Sequence, residues 1–144
     1  MGGSLLVLAF PQTFVNLSGE AVARLVRRYG VEADLSRVVV VHDELDLPPG
    51  RVKVKEGGGT AGHNGLESIR SHLRSGAFLR VRVGVGKPPG RQEGADFVLR
   101  RPRKAEQIEL DVAVEEAAEA VETILRDGAA TAMNRFNPER QPGD

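Results

Sequence analysis

Short apolar runs alternate with longer stretches in which apolar residues recur at helical spacing. Leu5–Phe10, Val38–Val41 and Leu79–Val85 are predicted as strands, and the uniformly β-branched Val38–Val41 is typical of a strand buried on both faces of a parallel sheet. Arg51–Lys55 alternates basic and apolar residues, which indicates an exposed or edge strand. Four strands are therefore expected.

Apolar residues three and four positions apart predict three helices. The first runs from Ser18, a candidate cap, to about Tyr29, and Gly30 follows its end. The second is expected over about Asn64–Leu73 and the third, the longest, over about Lys104–Arg126. The apolar face of the third helix is predicted to comprise Val114, Ala117, Ala118, Val121, Ile124 and Leu125.

This alternation of strands and helices predicts an α/β fold. A length of 144 residues suffices for one domain with its own core, so residues 1–144 are expected to form a single domain with a flexible tail at 137–144. The apolar runs are too short to span a bilayer, and no membrane partner is expected. The absence of cysteine excludes disulfides and thiolate nucleophiles, and a cytoplasmic location is expected.

The formal net charge of zero hides a segregation of charge along the chain. Residues 51–104 contain 13 lysines and arginines against 4 acidic residues, whereas residues 105–144 contain 3 against 10. A basic middle segment can bind a polyanion if the fold gathers its charges on one surface. The alternative is that these side chains only solvate outer faces.

Polar residues concentrate at Thr13–Asn16, His42–Asp46 and Gly57–Asn64, next to predicted strand or helix ends where α/β proteins place ligand-binding groups. Asp43 directly follows a β-branched run, so its carboxylate is expected at the carboxyl end of a strand. A carboxylate there can orient an imidazole and stabilise its protonated form. The alternative is that this acidic segment only caps a turn.

The glycine-rich loop Gly57–Gly62 precedes His63 and Asn64. Asn64 has both a donor and an acceptor, which suits it to hold a peptide backbone or a water, although it could equally cap the following helix. The loop lacks the spacing of nucleotide-binding glycine motifs, and the histidines lack metal-binding spacing, so no cofactor or metal is expected. Hydrolysis would then require general-base activation of water.

Four segments occur in the order and approximate spacing of bacterial-type peptidyl-tRNA hydrolases, which the chain therefore resembles: Pro11–Gly19, His42–Gly50, Gly57–Gly65 and Arg80–Gly86. Phe97–Leu99 and Met133–Phe136 extend the resemblance. These enzymes cleave the ester bond that joins a peptide to the tRNA 3′ end. The resemblance implies a mixed, mostly parallel sheet between helices, tRNA as the partner, no metal requirement and a monomeric full-length protein.

The resemblance also implies roles for individual residues. Asp43 matches the carboxylate that orients the catalytic histidine. Asn16 and Asn64 match asparagines that position the peptidyl substrate and water, and His63 is expected to line the same cleft. The two remaining matches, Lys55 and Arg82, correspond to a basic pair that clamps the 5′ phosphate of tRNA.

The chain departs from the family pattern at its start. The family opens with a strand, a Gly-Asn-Pro-Gly turn, a loop that carries the catalytic histidine, and a helix, none of which matches this sequence. None of the three histidines fits the catalytic position. We therefore expect a truncated peptidyl-tRNA hydrolase that is inactive on its own. The alternative is a non-catalytic RNA-binding relative that keeps the cleft and the phosphate clamp.

Overall fold

A computed structural model describes residues 6–9, 17–86 and 104–138 of the chain. Its elements are helix α1 (Ser18–Arg28), a 3-10 turn (Leu35–Arg37), strands β1 (Val39–Glu44) and β2 (Val52–Glu56), helix α2 (Asn64–Leu73), strand β3 (Leu79–Gly84), and helices α3 (Lys104–Asp127) and α4 (Ala129–Phe136). The three predicted helices are therefore confirmed within one or two residues at each described end. Ser18 is the first helical residue of α1 rather than its cap, which is Leu17.

The three strands form one sheet in the order β1-β3-β2. On one side of β3, the amide of Leu79 donates to the carbonyl of Val38 at 2.9 Å, and the amide of Val85 donates to the carbonyl of Glu44 at 3.0 Å. Residue numbers increase in the same direction on both strands of this ladder, so β1 and β3 are parallel.

On the other side of β3 the pairing is antiparallel. The amide of Gly84 donates to the carbonyl of Arg51 at 2.8 Å, and the amide of Gly57 donates to the carbonyl of Phe78 at 3.1 Å. This register places Lys53 opposite Arg82 and Lys55 opposite Arg80, with all four side chains on the same face. The predicted mixed α/β sheet is thus confirmed, with β2 as the predicted edge strand.

The chain divides into two compact units, and the first comprises residues 1–40 and 56–79. Its core is formed by Leu66, Ile69 and Phe78, with partly buried aliphatic residues packed against them: Val22, Leu35, Val38, Val40 and Leu73. Gly19 of α1 approaches α2 so closely that its amide donates to the Ser68 hydroxyl at 2.9 Å. A Cβ atom at position 19 would clash with the backbone oxygen of Ser68, so only glycine fits there.

The second unit comprises residues 41–55 and 80–144, and its core differs from the prediction. Helix α3 buries a stripe of mainly small residues: Ala113, Ala117, Ala120, Thr123 and Ile124. The predicted face is therefore wrong in part, since Val114 is 56% and Leu125 41% exposed. Both stripes have helical spacing, and the alanine-rich one permits closer helix packing, which hydrophobicity alone does not reveal.

The predicted strand at Leu5–Phe10 is not formed in its described part, residues 6–9. Leu6, Val7 and Leu8 are 47%, 40% and 74% exposed. A strand persists only where its backbone groups find partners and its side chains find a face to cover. Strand β1 also differs from expectation, because it lies at an edge of the described sheet and its Val41 is 52% exposed instead of buried.

Helix α4 was not predicted, and it directly precedes the predicted tail. It buries Ala132 and Phe136 and ends where Asn137 begins to contact β2. The side chain of Asn137 is hydrogen-bonded on both sides to Val54. The flexible tail predicted at 137–144 stays a prediction, since the structure describes only its first two residues.

Candidate functional site

The carboxyl end of β1 carries the acidic pair Asp43 and Glu44. Neighbouring residues of a strand project from opposite faces, so these two carboxylates have different surroundings. Asp43 shares its face with Val41 and is half-buried near the end of the strand, as the sequence predicts. Glu44 projects from the face that also carries Arg82.

Glu44 and Arg82 form an ion pair across the parallel β1–β3 ladder. Nε of Arg82 donates to Oε1 of Glu44 at 3.0 Å, and the side chains are 23% and 15% exposed for Arg82 and Glu44, respectively. Burial by itself raises the pKa of Glu44, but the hydrogen bonds from the Asp46 amide and from Arg82 outweigh it and lower that pKa below its ordinary value. Arg82 is thereby oriented by a carboxylate that stays ionised.

Four basic residues share this face on the antiparallel strands β2 and β3. Lys55 is exposed, whereas Arg80 opposite it is only 1% exposed. Burial, and then the charge of Arg82, lower the pKa of the Arg80 guanidinium. Lys55 and Arg82 are diagonal neighbours, a relationship that typically separates backbones by about 7–8 Å and lets long side chains meet. The two residues predicted to hold a phosphate thus lie on one face of one ladder.

The glycine-rich loop leads into α2 within the first unit. Gly57 and Gly62 have φ angles of 68° and 79°, which glycine adopts without strain. The Thr60 hydroxyl donates to Glu67 of α2 at 2.9 Å and ties the loop to the helix. Arg70 also pairs with Glu67, and both contacts lower the pKa of that carboxyl, Arg70 more than Thr60.

His63 and Asn64 follow this loop at the start of α2. The helix cap is His63, whose Nδ1 accepts a hydrogen bond from the Leu66 amide at 3.1 Å. Asn64 is therefore the first helical residue and not the cap, and its side chain is exposed. Asn64 is thus accessible to solvent, and His63 has a structural role that its sequence position did not reveal.

The two other histidines also use Nδ1 in backbone contacts, in both cases with a carbonyl oxygen. Nδ1 of His42 donates to the carbonyl of Asp43 at 2.8 Å, and Nδ1 of His72 donates to the carbonyl of Ser68 at 2.8 Å. His42 precedes Asp43 on the same strand, so their side chains project from opposite faces. The Asp43 carboxylate and the His42 ring are therefore directed to different faces of β1.

Some expectations lie outside the described residues, among them Asn16 and the segment Phe97–Leu99. Within residues 6–9, 17–86 and 104–138, no three histidine or acidic side chains gather in a metal-binding arrangement. None of the helices in these ranges combines the length and apolarity that crossing a bilayer requires.

The fold and this basic sheet face define an α/β protein with a candidate anion-binding surface, and comparison with known proteins gives the family. The family model of peptidyl-tRNA hydrolase matches residues 1–143. The chain is 51% identical over 131 residues to a peptidyl-tRNA hydrolase of Cutibacterium acnes and 48% identical over 143 residues to one of Pseudarthrobacter chlorophenolicus. The chain belongs to the peptidyl-tRNA hydrolase family.

Solved structures agree with this assignment. The crystal structure of peptidyl-tRNA hydrolase from Acinetobacter baumannii superimposes with a TM-score of 0.80 at 33% identity, over 90% of this chain and 65% of that one. The Cutibacterium match covers 91% of this chain and 64% of the relative, and the Pseudarthrobacter match covers 99% and 72%. The chain thus spans about two thirds of the length of the relatives that it matches.

Proposed function

We propose that the protein acts on peptidyl-tRNA, binding the tRNA on the basic face of β2 and β3 and supporting ester hydrolysis by general-base activation of water. The observation that carries this proposal is the placement of Lys55 and Arg82 as diagonal neighbours on one sheet face. Lysine offers a mobile point charge and arginine a planar fork, and together they suit the several oxygens of a terminal phosphate. The tRNA 5′ phosphate is the group we assign to them.

The remaining roles rest on the family resemblance. Asp43 is proposed to orient an imidazole that removes a proton from water, because a carboxylate near a strand end can fix the tautomer and stabilise the imidazolium. Asn16 and Asn64 are proposed to hold the peptidyl group and the attacking water, and His63 is proposed to line the same cleft. We assign this action to the cytoplasm and, for the full-length form, to a monomer.

The 144-residue chain by itself is proposed to be a slow hydrolase. Each of its three histidines has Nδ1 in a contact with backbone, at Asp43, Leu66 and Ser68. Nδ1 is the atom through which a carboxylate would orient a catalytic imidazole while Nε2 takes the proton. Loss of a positioned base typically lowers the rate by about 10²–10⁴-fold, whereas binding through the basic face does not depend on the base.

Cleavage and binding of an N-blocked aminoacyl-tRNA test these statements separately, with the Pseudarthrobacter relative measured in parallel. We expect this chain to bind the tRNA but to hydrolyse its ester about 10²–10⁴-fold more slowly than that relative. Asp43→Asn should leave the residual rate unchanged, because Nδ1 of each of the three histidines contacts backbone atoms. A rate close to that of the relative would overturn the assignment of the base, and failure to bind tRNA would overturn the proposed function.

A further inference from the structure

At the outer edge of β2, the side chain of Asn137 is hydrogen-bonded to the backbone of Val54. The amide of Val54 donates to Oδ1 of Asn137 at 2.7 Å, and Nδ2 of Asn137 donates to the carbonyl of Val54 at 2.8 Å. An adjacent strand would satisfy an edge residue with the same pair of bonds. The amide of Asn137 therefore substitutes for a strand at one residue of β2, the residue between Lys53 and Lys55.

Asn137 is itself held firmly enough to serve this purpose. It follows Phe136, which is 5% exposed, and its own amide donates to the carbonyl of Met133 at 3.0 Å. Nη2 of Arg51 donates to the carbonyls of Pro138 at 3.1 Å and of Asn137 at 3.4 Å. Helix α4 thus fixes Asn137 from one side, and the start of β2 fixes it from the other.

Val54 and its neighbours in β2 have different tasks. The side chain of Val54 is 2% exposed and belongs to the core, so its peptide position is constrained by packing on one face. Lys53 and Lys55 project from the opposite face, where Arg82 lies. Any shift or fraying of the Val54 peptide therefore moves both lysines relative to Arg82.

We propose that Asn137 is a positioning residue for the phosphate site: by holding the Val54 peptide, it sets Lys53 and Lys55 relative to Arg82. This inference rests on the proposed clamp of Lys55 and Arg82. Arg51 is not part of this clamp, because its guanidinium donates to the carbonyls of Asn137 and Pro138. When Asn137 is bonded to Val54, Lys53 and Lys55 stay in register with β3. Without these bonds the edge strand frays, and the positions of the two lysines become variable.

The identity of the side chain matters because it must both donate and accept. Aspartate at position 137 would keep the acceptor for the Val54 amide but would place a second acceptor against the Val54 carbonyl. Alanine would remove both bonds. A matched control is Thr123→Val, which also removes two hydrogen bonds in this unit, one to the Glu119 carbonyl at 2.8 Å and one from Arg135 at 3.3 Å.

The test compares Asn137→Ala, Asn137→Asp and Thr123→Val in the full 144-residue chain. The first readout is the affinity ratio for a tRNA acceptor-stem mimic with and without its 5′ phosphate. We expect both Asn137 variants to lower this ratio by about threefold to tenfold, the worth of one net hydrogen bond, and Thr123→Val to leave it unchanged. The second readout is hydrogen exchange of the Val54 amide, which should accelerate in Asn137→Ala only.

Each outcome has a distinct meaning. Unaltered Val54 exchange in Asn137→Ala would overturn the inference, because the amide would then not hold the strand. Faster exchange with an unchanged ratio would also overturn it, provided that Lys55→Ala still abolishes the phosphate preference. An equal fall of the affinity ratio in Thr123→Val would show that Asn137 affects binding only through general stability, and would overturn the inference. If Lys55→Ala and Arg82→Ala leave the ratio unchanged, the clamp itself fails, which is a failure of the proposed function.

Discussion

The carboxylate of Glu44 accepts a hydrogen bond from the Arg82 guanidinium at 3.0 Å, so a residue of the basic face has an acidic partner on the neighbouring parallel strand. The pair joins β1 to β3 and restricts the rotamers of Arg82. It also reduces the positive charge of the face without removing the exposed Lys55. Arginine retains donors beyond the one that it gives to a single carboxylate, so the pairing is compatible with phosphate binding.

The pH dependence of stability should report this ion pair. The folded-state pKa of Glu44 lies below its ordinary value of 4.5, so the pair contributes fully above about pH 5, and the contribution disappears as the pH falls through the folded-state pKa. Glu44→Gln should therefore lower the free energy of unfolding by about 1 kcal/mol near neutral pH and by less in acid.

Urea unfolding at several pH values measures this difference. The same change at the exposed Glu122 is the control, which we expect to alter stability by no more than about 0.5 kcal/mol. If the loss of unfolding free energy in Glu44→Gln stays constant from neutral to strongly acidic pH, ionisation of Glu44 does not contribute to stability.

Removal of either member of the clamp should abolish discrimination of the tRNA 5′ phosphate. Lys55→Ala and Arg82→Ala should each weaken binding of the phosphorylated acceptor-stem mimic and flatten the dependence of log affinity on log salt by about 0.7–0.9, because one phosphate contact is lost. The charge-matched control is Arg126→Ala at the exposed end of α3. Equal effects of all three variants on both mimics would mean that the interaction is a diffuse attraction between charges.

Gly19→Ala should destabilise the first unit. The added Cβ meets the backbone oxygen of Ser68, which cannot yield as a flexible side chain would, and overpacking of this kind typically costs about 1–3 kcal/mol. Gly30→Asn is the control, since Gly30 has open space and a φ of 67° that asparagine tolerates. Thermal unfolding of both variants gives the comparison, and a Gly19→Ala protein as stable as the Gly30→Asn protein would contradict the close approach of α1 and α2.

The exposed apolar side chain at the edge strand β1 should promote self-association. Val41 is 52% exposed on a strand whose outer edge is unpaired within the described sheet, an arrangement that favours pairing with another chain. Val41→Lys should reduce light scattering and the binding of a hydrophobic dye, because a lysine at an edge opposes strand addition. Val114→Lys, on the exposed side of α3, is the control. An equal benefit from both would indicate general solubility instead of edge pairing.

Local periodicity determined much of this protein. Patterns within a few residues of each site predict the bounds of α2 and α3 and the strands that begin at Leu79 and next to Arg51. They also predict the position of Asp43 near a strand end. Backbone hydrogen bonding in helices is local, and side-chain alternation in strands is a property of the strand itself. The order of the sequence motifs also sufficed to indicate the family, because four long segments in register are specific.

Tertiary structure decided everything that depends on residues distant along the chain. It selected the alanine stripe of α3 over the more hydrophobic one, because the buried face is chosen by what lies against it. It assigned the cap of α2 to His63, paired Glu44 with Arg82, and brought Asn137 to Val54, 83 positions away. These contacts arise from sheet register and from the packing of α4, and a side-chain amide that completes a distant strand leaves no periodic signal in the sequence.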